Sequence, residues 1–490
     1  MTKADMDEKR VRGSLDAIVG QIRQYVPSMA PYFEIDRPLG EYAAGLQPAR
    51  VGPVHADRQE AVARAVRQVL RQAFGPAAAE VSVDASDVRA INIVDHHQLL
   101  NHPLLLGTNI IANADRLVGG GGRRPIVTFS CSNVPPSNHY MRNGFQFRGE
   151  AIPYFKAKEH RDAMYYTSVR SFDFVERLRA LKRWERFKSD DQAFLIEYQG
   201  LLNGLDYSHT NRHRDQLAVA LRRTWPMLFS QELRRDVPEL LYANSEDVAR
   251  ECLVELLAGE NFLSAALFDA EFRQHVLDAF RGIVVAWDEA AGKGTHFFWR
   301  KYPGRPELLR LFVDGSDLVP ADPRFKDLKV PLEPAAIRDH LEREEIIPSV
   351  ALCMSVLLYA GVKPLVGPGS LVYTTQLKEG WTALLERHGY ASEASLVAQV
   401  DTAGLIAGTP MFFGRSGDAV RTLYAADVFS MGGMSESYMK TALSAPLKDL
   451  LSVGSSGVYD LFSNSYIPKE KQLTERIGFD EAATIIHGWV

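Results

Sequence analysis

The densest set of chemically capable side chains lies in one stretch of eight residues that begins at Asp95. It contains one carboxylate, two amides and three imidazoles, which can exchange protons or ligate a metal ion: Asp95, His96, His97, Gln98, Asn101 and His102. Neutral imidazoles and amides suit the binding of a polar substrate, and a histidine can transfer a proton near neutral pH. The stretch therefore predicts a substrate-binding loop, with its histidines as catalytic candidates and its other three polar residues as binding candidates.

Two further interpretations of the same stretch stay open. Asp95, His96 and His97 could ligate a divalent metal, and the triplet resembles the one that names the DHH phosphoesterases, so a metal-dependent hydrolase is the alternative function. In the simplest interpretation, Asp95 caps the following turn and the histidines form hydrogen bonds in the wall of a crevice.

A second polar stretch follows at residues 131–140 and would complete such a crevice. Ser132 and Asn138 offer a hydroxyl and an amide for substrate binding, and His139 is a further catalytic candidate. Cys131 and His139 could also act as a nucleophile and its base, although a cysteine at the end of a buried strand is more often a small apolar filler.

A glycine-rich segment at Gly367, Gly369 and Ser370 precedes a predicted helix over residues 371–387. Free backbone N–H groups at such a helix N-terminus could hold a phosphate or carboxylate, while Ser370 is also an ordinary N-cap. Neither GxGxxG nor GxxxxGK[ST] occurs, so a standard dinucleotide or P-loop site is not indicated.

His209 and His213 are four residues apart and would share one face of a helix, as a two-histidine metal motif requires. No glutamate accompanies them, so we expect both side chains on a solvated surface.

The elements that position these residues follow from hydrophobic periodicity. Apolar residues recur at helical spacing over 56–74, and buried strands are predicted over 90–94 and 125–129, joined by a helix over 104–118. Strand, helix and strand form a βαβ unit, in which ligands bind beyond the carboxyl ends of the strands. Both polar stretches follow such strand ends.

The rest of the chain predicts a core divided in two. Residues 1–80 form an N-terminal helical region, 81–171 the first part of the α/β core and 172–290 an almost wholly helical insertion. Strand signals return at 296–300 and 308–313, so 291–404 is the second part of the core. Residues 405–490 alternate glycine-rich loops with short helices.

Composition excludes several classes of function. The chain has 490 residues with a net charge of −5 and a pI near 6.3, so no overall basic field favours nucleic acid or anionic membranes. Three dispersed cysteines, an N-terminus without an apolar signal segment and an interrupted apolar stretch at 346–362 predict a cytoplasmic protein without a membrane span.

Two motifs resemble those of the bacillithiol synthases, which add cysteine to a glucosaminyl-malate acceptor. Residues 94–106 resemble that family's loop after a strand, with Leu99, Pro103 and Leu104 in register, whereas Asn109 stands where a helix lysine is usual. Residues 367–378 resemble its late glycine–proline motif, with Tyr373 and Lys378 in register. Ser370 stands in place of a glutamate, and the segment after the second strand has no carboxylate.

The resemblance implies a Rossmann-like parallel sheet core, split by the helical insertion, and a ligase that joins an amino acid or other amine to a small carboxylated or sugar-derived acceptor. Asn109 would then bind substrate, and Gly367, Gly369, Ser370, Tyr373 and Lys378 would bind a cofactor, for which a nucleotide such as ATP or ADP is the candidate. A homodimer and a non-enzymatic role of the charged insertion in docking a partner stay open.

Overall fold

The computed structural model describes residues 3–48, 52–75, 82–96, 99, 102–118, 124–136, 143–416 and 419–485. The strands within these ranges are β1 (Ala90–His96), β2 (Ile126–Cys131), β3 (Gly144–Phe147), β4 (Glu150–Pro153), β5 (Leu240–Asn244), β6 (Trp287–Asp288), β7 (Lys293–Gly294), β8 (Phe298–Lys301), β9 (Leu308–Asp314), β10 (Asp317–Pro320), β11 (Val330–Pro331), β12 (Ile346–Pro348), β13 (Lys363–Val366), β14 (Gly404–Leu405), β15 (Phe413–Ser416) and β16 (Ala419–Thr422).

The α-helices in the same ranges are α1 (Lys3–Tyr25), α2 (Leu39–Ala44), α3 (Pro53–Phe74), α4 (Pro103–Leu106), α5 (Thr108–Ala112), α6 (Ala114–Val118), α7 (Phe174–Ala180), α8 (Ser189–Asn203), α9 (His213–Thr224), α10 (Ser245–Leu256), α11 (Phe262–Phe268), α12 (Ala270–Phe280), α13 (Pro334–Glu342), α14 (Val350–Ala360), α15 (Pro368–Arg387), α16 (Ala391–Ala398), α17 (Ala425–Ser430), α18 (Glu436–Ser444), α19 (Leu447–Ser465) and α20 (Phe479–Ala483).

A five-stranded parallel sheet lies at the centre of the fold, with the strand order β14-β13-β1-β2-β5. Its two sides come from distant parts of the chain, since β1, β2 and β5 precede residue 245 and β13 and β14 follow residue 362. The predicted α/β class with a parallel sheet and the predicted βαβ unit are therefore confirmed.

The segment over 172–290 is not wholly helical, because β5 lies within it and forms one edge of the parallel sheet. All five residues of β5 are buried. A short strand buried on both faces has no polar alternation, so the pattern that distinguishes a strand from a helix was missing.

The strands predicted over 296–313 exist, but they belong to a second sheet. This five-stranded antiparallel sheet has the order β11-β10-β9-β8-β12. Of the region predicted as the second part of the core, only β13 and β14 join the parallel sheet.

Glycines lie at two further positions where the observed helices differ from the predicted ones. The helix predicted over 104–118 is divided into α4, α5 and α6, with Gly107 between the first two. Glycine-rich residues 453–457, which fall in the region predicted to alternate glycine-rich loops with short helices, lie inside α19, where a Cβ on Gly454 would stand 1.8 Å from the carbonyl oxygen of Gly408. Glycine therefore lets α19 pack directly on the backbone of another segment.

The helices at the two ends of the chain pack together, since α19 contacts α1 and α20 contacts both. Helices α1 to α3 lie within the predicted N-terminal helical region, and α3 packs on α9, α10, α14 and β5. Among the helices described, none combines the length and the apolar character that a membrane span requires.

Candidate functional site

The carboxyl ends of the parallel strands form one edge, which we call the carboxyl edge. Chain order reverses there between β1 and β13, since the chain runs from β1 outward to β2 and β5 on one side and from β13 to β14 on the other. Chain segments that leave neighbouring strands in opposite directions open a crevice at such a point, and ligands of open α/β sheets bind there.

Five of the predicted site residues lie outside the described residues: His97, Gln98, Asn101, Asn138 and His139. Their roles stay predictions. His96 is described, and it ends β1 directly opposite Cys131, the last residue of β2. Both side chains are half-buried at the carboxyl edge.

Asp95 is fully buried in a hydrogen-bond network beneath this edge. Its carboxylate accepts hydrogen bonds from the Tyr242 hydroxyl, from Asn109 Nδ2 at 3.1 Å and from Thr108 Oγ1 at 3.4 Å. The register of β1 against β2 shifts between Asn92 and Asp95, which is typical of a β-bulge. In a regular strand, residues three positions apart point to opposite faces. The bulge therefore explains how the side chains of Asn92 and Asp95 join the same network.

Asn109, predicted to bind substrate, is the centre of this network and is 3% exposed. Its amide donates to Asp95 and, at 3.0 Å, to the Tyr242 hydroxyl; its oxygen accepts from Asn92 Nδ2 at 2.8 Å and from Thr128 Oγ1 at 2.5 Å. These four bonds use the whole capacity of the side chain. The structure therefore gives Asn109 an internal role rather than a substrate-binding one.

Ser132 is likewise engaged inside the protein, by Glu246 in the first turn of α10. The Glu246 carboxylate accepts from the backbone N–H of Ser132 at 3.1 Å and of Asn133 at 2.9 Å, and from Asn244 Nδ2 at 3.0 Å. The Ser132 hydroxyl donates to the same carboxylate at 3.3 Å and accepts from Asn244. Complete burial raises the pKa of Glu246, whereas these backbone donors act in the opposite direction.

Cys131 also contacts Glu246, with 3.4 Å between its sulfur and the carboxylate. Burial and this neighbouring carboxylate raise the pKa of the Cys131 thiol well above its ordinary value. A thiol that holds its proton is a poor nucleophile. The structure therefore argues against the predicted nucleophile–base pair of Cys131 and His139.

The first turn of α15 brings together most of the predicted cofactor-binding residues. The N-cap is Gly367 with Pro368 after it, so Ser370 lies inside the helix and the prediction of an N-cap at Ser370 is wrong. Among the described residues, no side chain caps this helix, and the Ser370 hydroxyl accepts from the Tyr373 hydroxyl at 2.9 Å. Burial raises the pKa of Tyr373 to about 12.

Lys378 does not join that turn. Eight residues of helix place it about 12 Å beyond Ser370 along the axis. Its Nζ donates to the backbone carbonyl of Val400 at 3.2 Å. The structure thus separates Lys378 from the other predicted cofactor-binding residues.

His102, a catalytic candidate, is the N-cap of α4. Its Nδ1 accepts from the backbone N–H of Leu104 at 3.3 Å, and its ring stacks on Phe479 and meets Tyr424 edge-on. His102 thus caps α4 and packs against two aromatic rings, which explains a histidine at this position without catalysis. Its catalytic role stays a prediction.

Sequence reasoning missed a buried ionic cluster behind Ser132. Asp247, next to Glu246, accepts from Arg214 Nε at 2.7 Å and from the Tyr165 hydroxyl at 2.6 Å. Glu344, before β12, accepts from three guanidinium groups, those of Arg212 at 2.8 Å, Arg250 at 2.7 Å and Arg214 at 3.4 Å. The cluster joins the antiparallel sheet to α9 and α10.

A sequence signal for part of this region exists. The apolar residues 240–243 are followed by Asn, Ser, Glu and Asp, which is typical of a strand that ends at the N-cap and acidic first turn of a helix. Nothing in the local sequence indicates that Glu344 would meet three arginines.

His213, expected at a solvated surface, is completely buried. Among the residues that the structure describes, no three His, Cys, Asp or Glu side chains are grouped so that they could hold a metal ion.

Comparison of the chain with protein-family models, with curated proteins and with solved structures finds no match.

Proposed function

We propose that this protein is an enzyme that binds a small anionic molecule, with a nucleotide such as ATP or ADP as the candidate, at the carboxyl edge. In line with the resemblance to bacillithiol synthases, it would join an amino acid or other amine to a small carboxylated or sugar-derived acceptor. The observation that carries the proposal is the uncapped first turn of α15, which begins at the strand next to β1 where chain order reverses.

The strand order supports this proposal. Numbered along the chain, the five parallel strands run 3-2-1-4-5, which is the order of the first five strands in doubly wound dinucleotide-binding folds. We therefore propose a Rossmann-like core, interrupted by the segments between β2 and β5 and between β5 and β13.

The chemistry of α15 supports an anionic ligand. A helix of 20 residues presents backbone N–H groups and a partial positive charge at its N-terminus. A Cβ on Gly367 would lie 3.2 Å from Val94 Cγ1, so this residue allows a close approach to β1. Gly367, Gly369 and Ser370 would hold the anion through their backbone.

The metal-dependent hydrolase ranks below this proposal, because the Asp95 carboxylate already accepts hydrogen bonds from three neutral donors. A metal ion at Asp95 would have to replace some of these bonds.

Thermal unfolding of the metal-stripped protein with ADP, ATP, zinc or manganese tests the proposal, since a ligand that binds only the native state raises the unfolding temperature. We expect a shift of several degrees with millimolar ADP or ATP. A shift with metal alone would favour the hydrolase, and no shift with either nucleotide would reject nucleotide binding.

Two substitutions at one position locate the binding. In Gly367→Asp, the new carboxylate can cap the first turn of α15 and compete with the ligand, so the nucleotide shift should disappear. Gly367→Ala adds the same Cβ without the charge and should keep most of the shift. Equal shifts in the two variants would place the nucleotide elsewhere.

A further inference from the structure

A half-open cavity of about 510 Å³ lies at the amino-terminal end of β5, away from the carboxyl edge. It is bounded by the end of α3, by the segment between α8 and α9, by the second half of α9 and by the residues just before β5. Small-molecule sites in proteins have volumes of roughly 300–1,000 Å³, so this cavity is large enough for one.

The inner wall of the cavity is apolar. Two of its side chains are buried and four are half-buried: Ala73 and Phe74, followed by Leu205, Val219, Pro226 and Val237. Burying apolar surface against such a wall is favourable, and ligand sites are lined mostly by apolar side chains with a few charged or polar ones. The wall therefore suits the apolar body of a ligand.

His209 and Arg222 close two sides of the cavity. A Cβ on Gly75 would stand 2.5 Å from His209 Cγ, so the imidazole lies directly against this glycine at the end of α3. The Arg222 guanidinium lies 5.2 Å from the centroid of the Phe74 ring. His209, predicted to lie on a solvated surface, is exposed at this rim.

The charged side chains at the rim leave one cation free. Glu239 Oε1 accepts from Arg222 Nη2 at 2.8 Å and from Arg222 Nε at 3.2 Å. Asp206 accepts from the backbone N–H of Ser208 at 2.9 Å. Arg223, which is exposed, makes no ion pair or hydrogen bond among the residues that the structure describes. An anionic group of a ligand can therefore pair with Arg223, whereas a cation would meet two acids that already have partners.

We propose that this cavity binds a small organic acid that carries a single carboxylate on an apolar body. The carboxylate pairs with Arg223, because a guanidinium group matches the geometry of a carboxylate, and the body packs on the apolar wall. The site lies at the opposite end of β5 from the carboxyl edge. It therefore goes beyond the proposed function and does not depend on it.

Isothermal titration of the full chain with sodium octanoate tests the site. We expect saturable binding of octanoate, and binding of hexanoate about tenfold weaker, because each methylene group removed from water contributes to affinity. Acetate, which has the charge without the apolar body, should give no saturable binding. Octan-1-ol, which has the body without the charge, should bind more weakly than octanoate.

Substitution of Arg223 separates the charge from the apolar wall. Arg223→Gln should weaken octanoate binding about threefold, as expected for an exposed ion pair, and leave octan-1-ol binding unchanged. Arg235→Gln is the matched control, because Arg235 is also exposed and also has no partner among the described residues. It should leave the binding of both compounds unchanged.

Substitution of the wall supplies a second, larger effect. Val237→Asp places a carboxylate on the apolar wall and should abolish binding of both compounds, whereas Val284→Asp, at an exposed valine outside the cavity, should not. Circular dichroism checks that both variants are folded; if Val237→Asp is not, the arginine variants decide. No saturable binding of octanoate, equal affinities for octanoate and hexanoate, or equal effects of Arg223→Gln and Arg235→Gln would overturn the proposal.

Discussion

The first turns of α10 and α15 leave the same edge of the parallel sheet, but their backbone N–H groups are in opposite situations. At α10, the Asn244 side chain caps the helix and the next two acidic residues bind neighbouring segments. At α15, the N-cap Gly367 is followed by Pro368 and Gly369, and among the described residues no side chain caps the helix. The comparison teaches that one helix N-terminus completes the fold, whereas the other is the place where we propose that a ligand binds.

The largest expected effect comes from removing the acid that organises α10. Glu246→Ala leaves the N–H groups of Ser132 and Asn133 buried without an acceptor, and each costs about 1–3 kcal/mol. We expect the free energy of unfolding to fall by about 4 kcal/mol, measured by urea denaturation at neutral pH. Glu246→Gln keeps one acceptor oxygen and should lose about half as much; an equal loss in both would contradict this account.

The ionic cluster behind α10 should make the free energy of unfolding depend on pH in the acidic range. Burial alone would raise the pKa of Glu344, but Arg214, Arg250 and Arg212 outweigh it and hold the pKa at about 2, below its ordinary 4.5. As the pH falls, the Glu344 carboxylate is protonated in the unfolded chain at a higher pH than in the folded protein. The stabilisation present above pH 4.5 is therefore lost as the pH falls toward 2.

Glu344→Gln should remove this pH dependence, on the order of 3 kcal/mol between neutral pH and pH 2. Urea denaturation at both pH values measures it, and Glu342→Gln, on the exposed side of the adjacent α13, is the control. If both variants lose stability in acid as steeply as the unsubstituted protein, the three arginines do not act on Glu344 as described.

Two asparagine caps can be compared directly. Asn244→Ala removes the cap of α10 together with bonds to Glu246 and Ser132, so we expect a loss of about 2 kcal/mol. Asn261→Ala removes only the cap of α11 and its bonds to nearby carbonyls, and should cost about 1 kcal/mol. Chemical denaturation of the two variants measures each loss in the free energy of unfolding. The larger loss shows whether α10 or α11 depends more on its cap.

The smallest effect is expected at α15. Ser370→Ala should change the free energy of unfolding by less than about 0.5 kcal/mol, because this hydroxyl accepts from Tyr373 and does not cap the helix. A loss of 1 kcal/mol or more, measured in the same denaturation series, would mean that the first turn of α15 depends on its own side chain as α10 does.

The sequence by itself determined the local elements. Hydrophobic periodicity located α3, β1 and β2, and glycine followed by proline located the start of α15 to within three residues, because these signals depend only on nearby residues. Of the polar stretch that begins at Asp95, His96 lies at the carboxyl edge, where β1 ends, since a strand end is a local feature.

The tertiary structure decided what those residues do. Asn109 and Ser132 looked available for a substrate, but partners more than a hundred residues away, Tyr242 and Glu246, engage them inside the protein. His213 looked like a surface residue because its aromatic neighbours come from residues 154–172. Hydrogen-bond partners and burial depend on contacts between distant segments, which no local pattern of residues encodes.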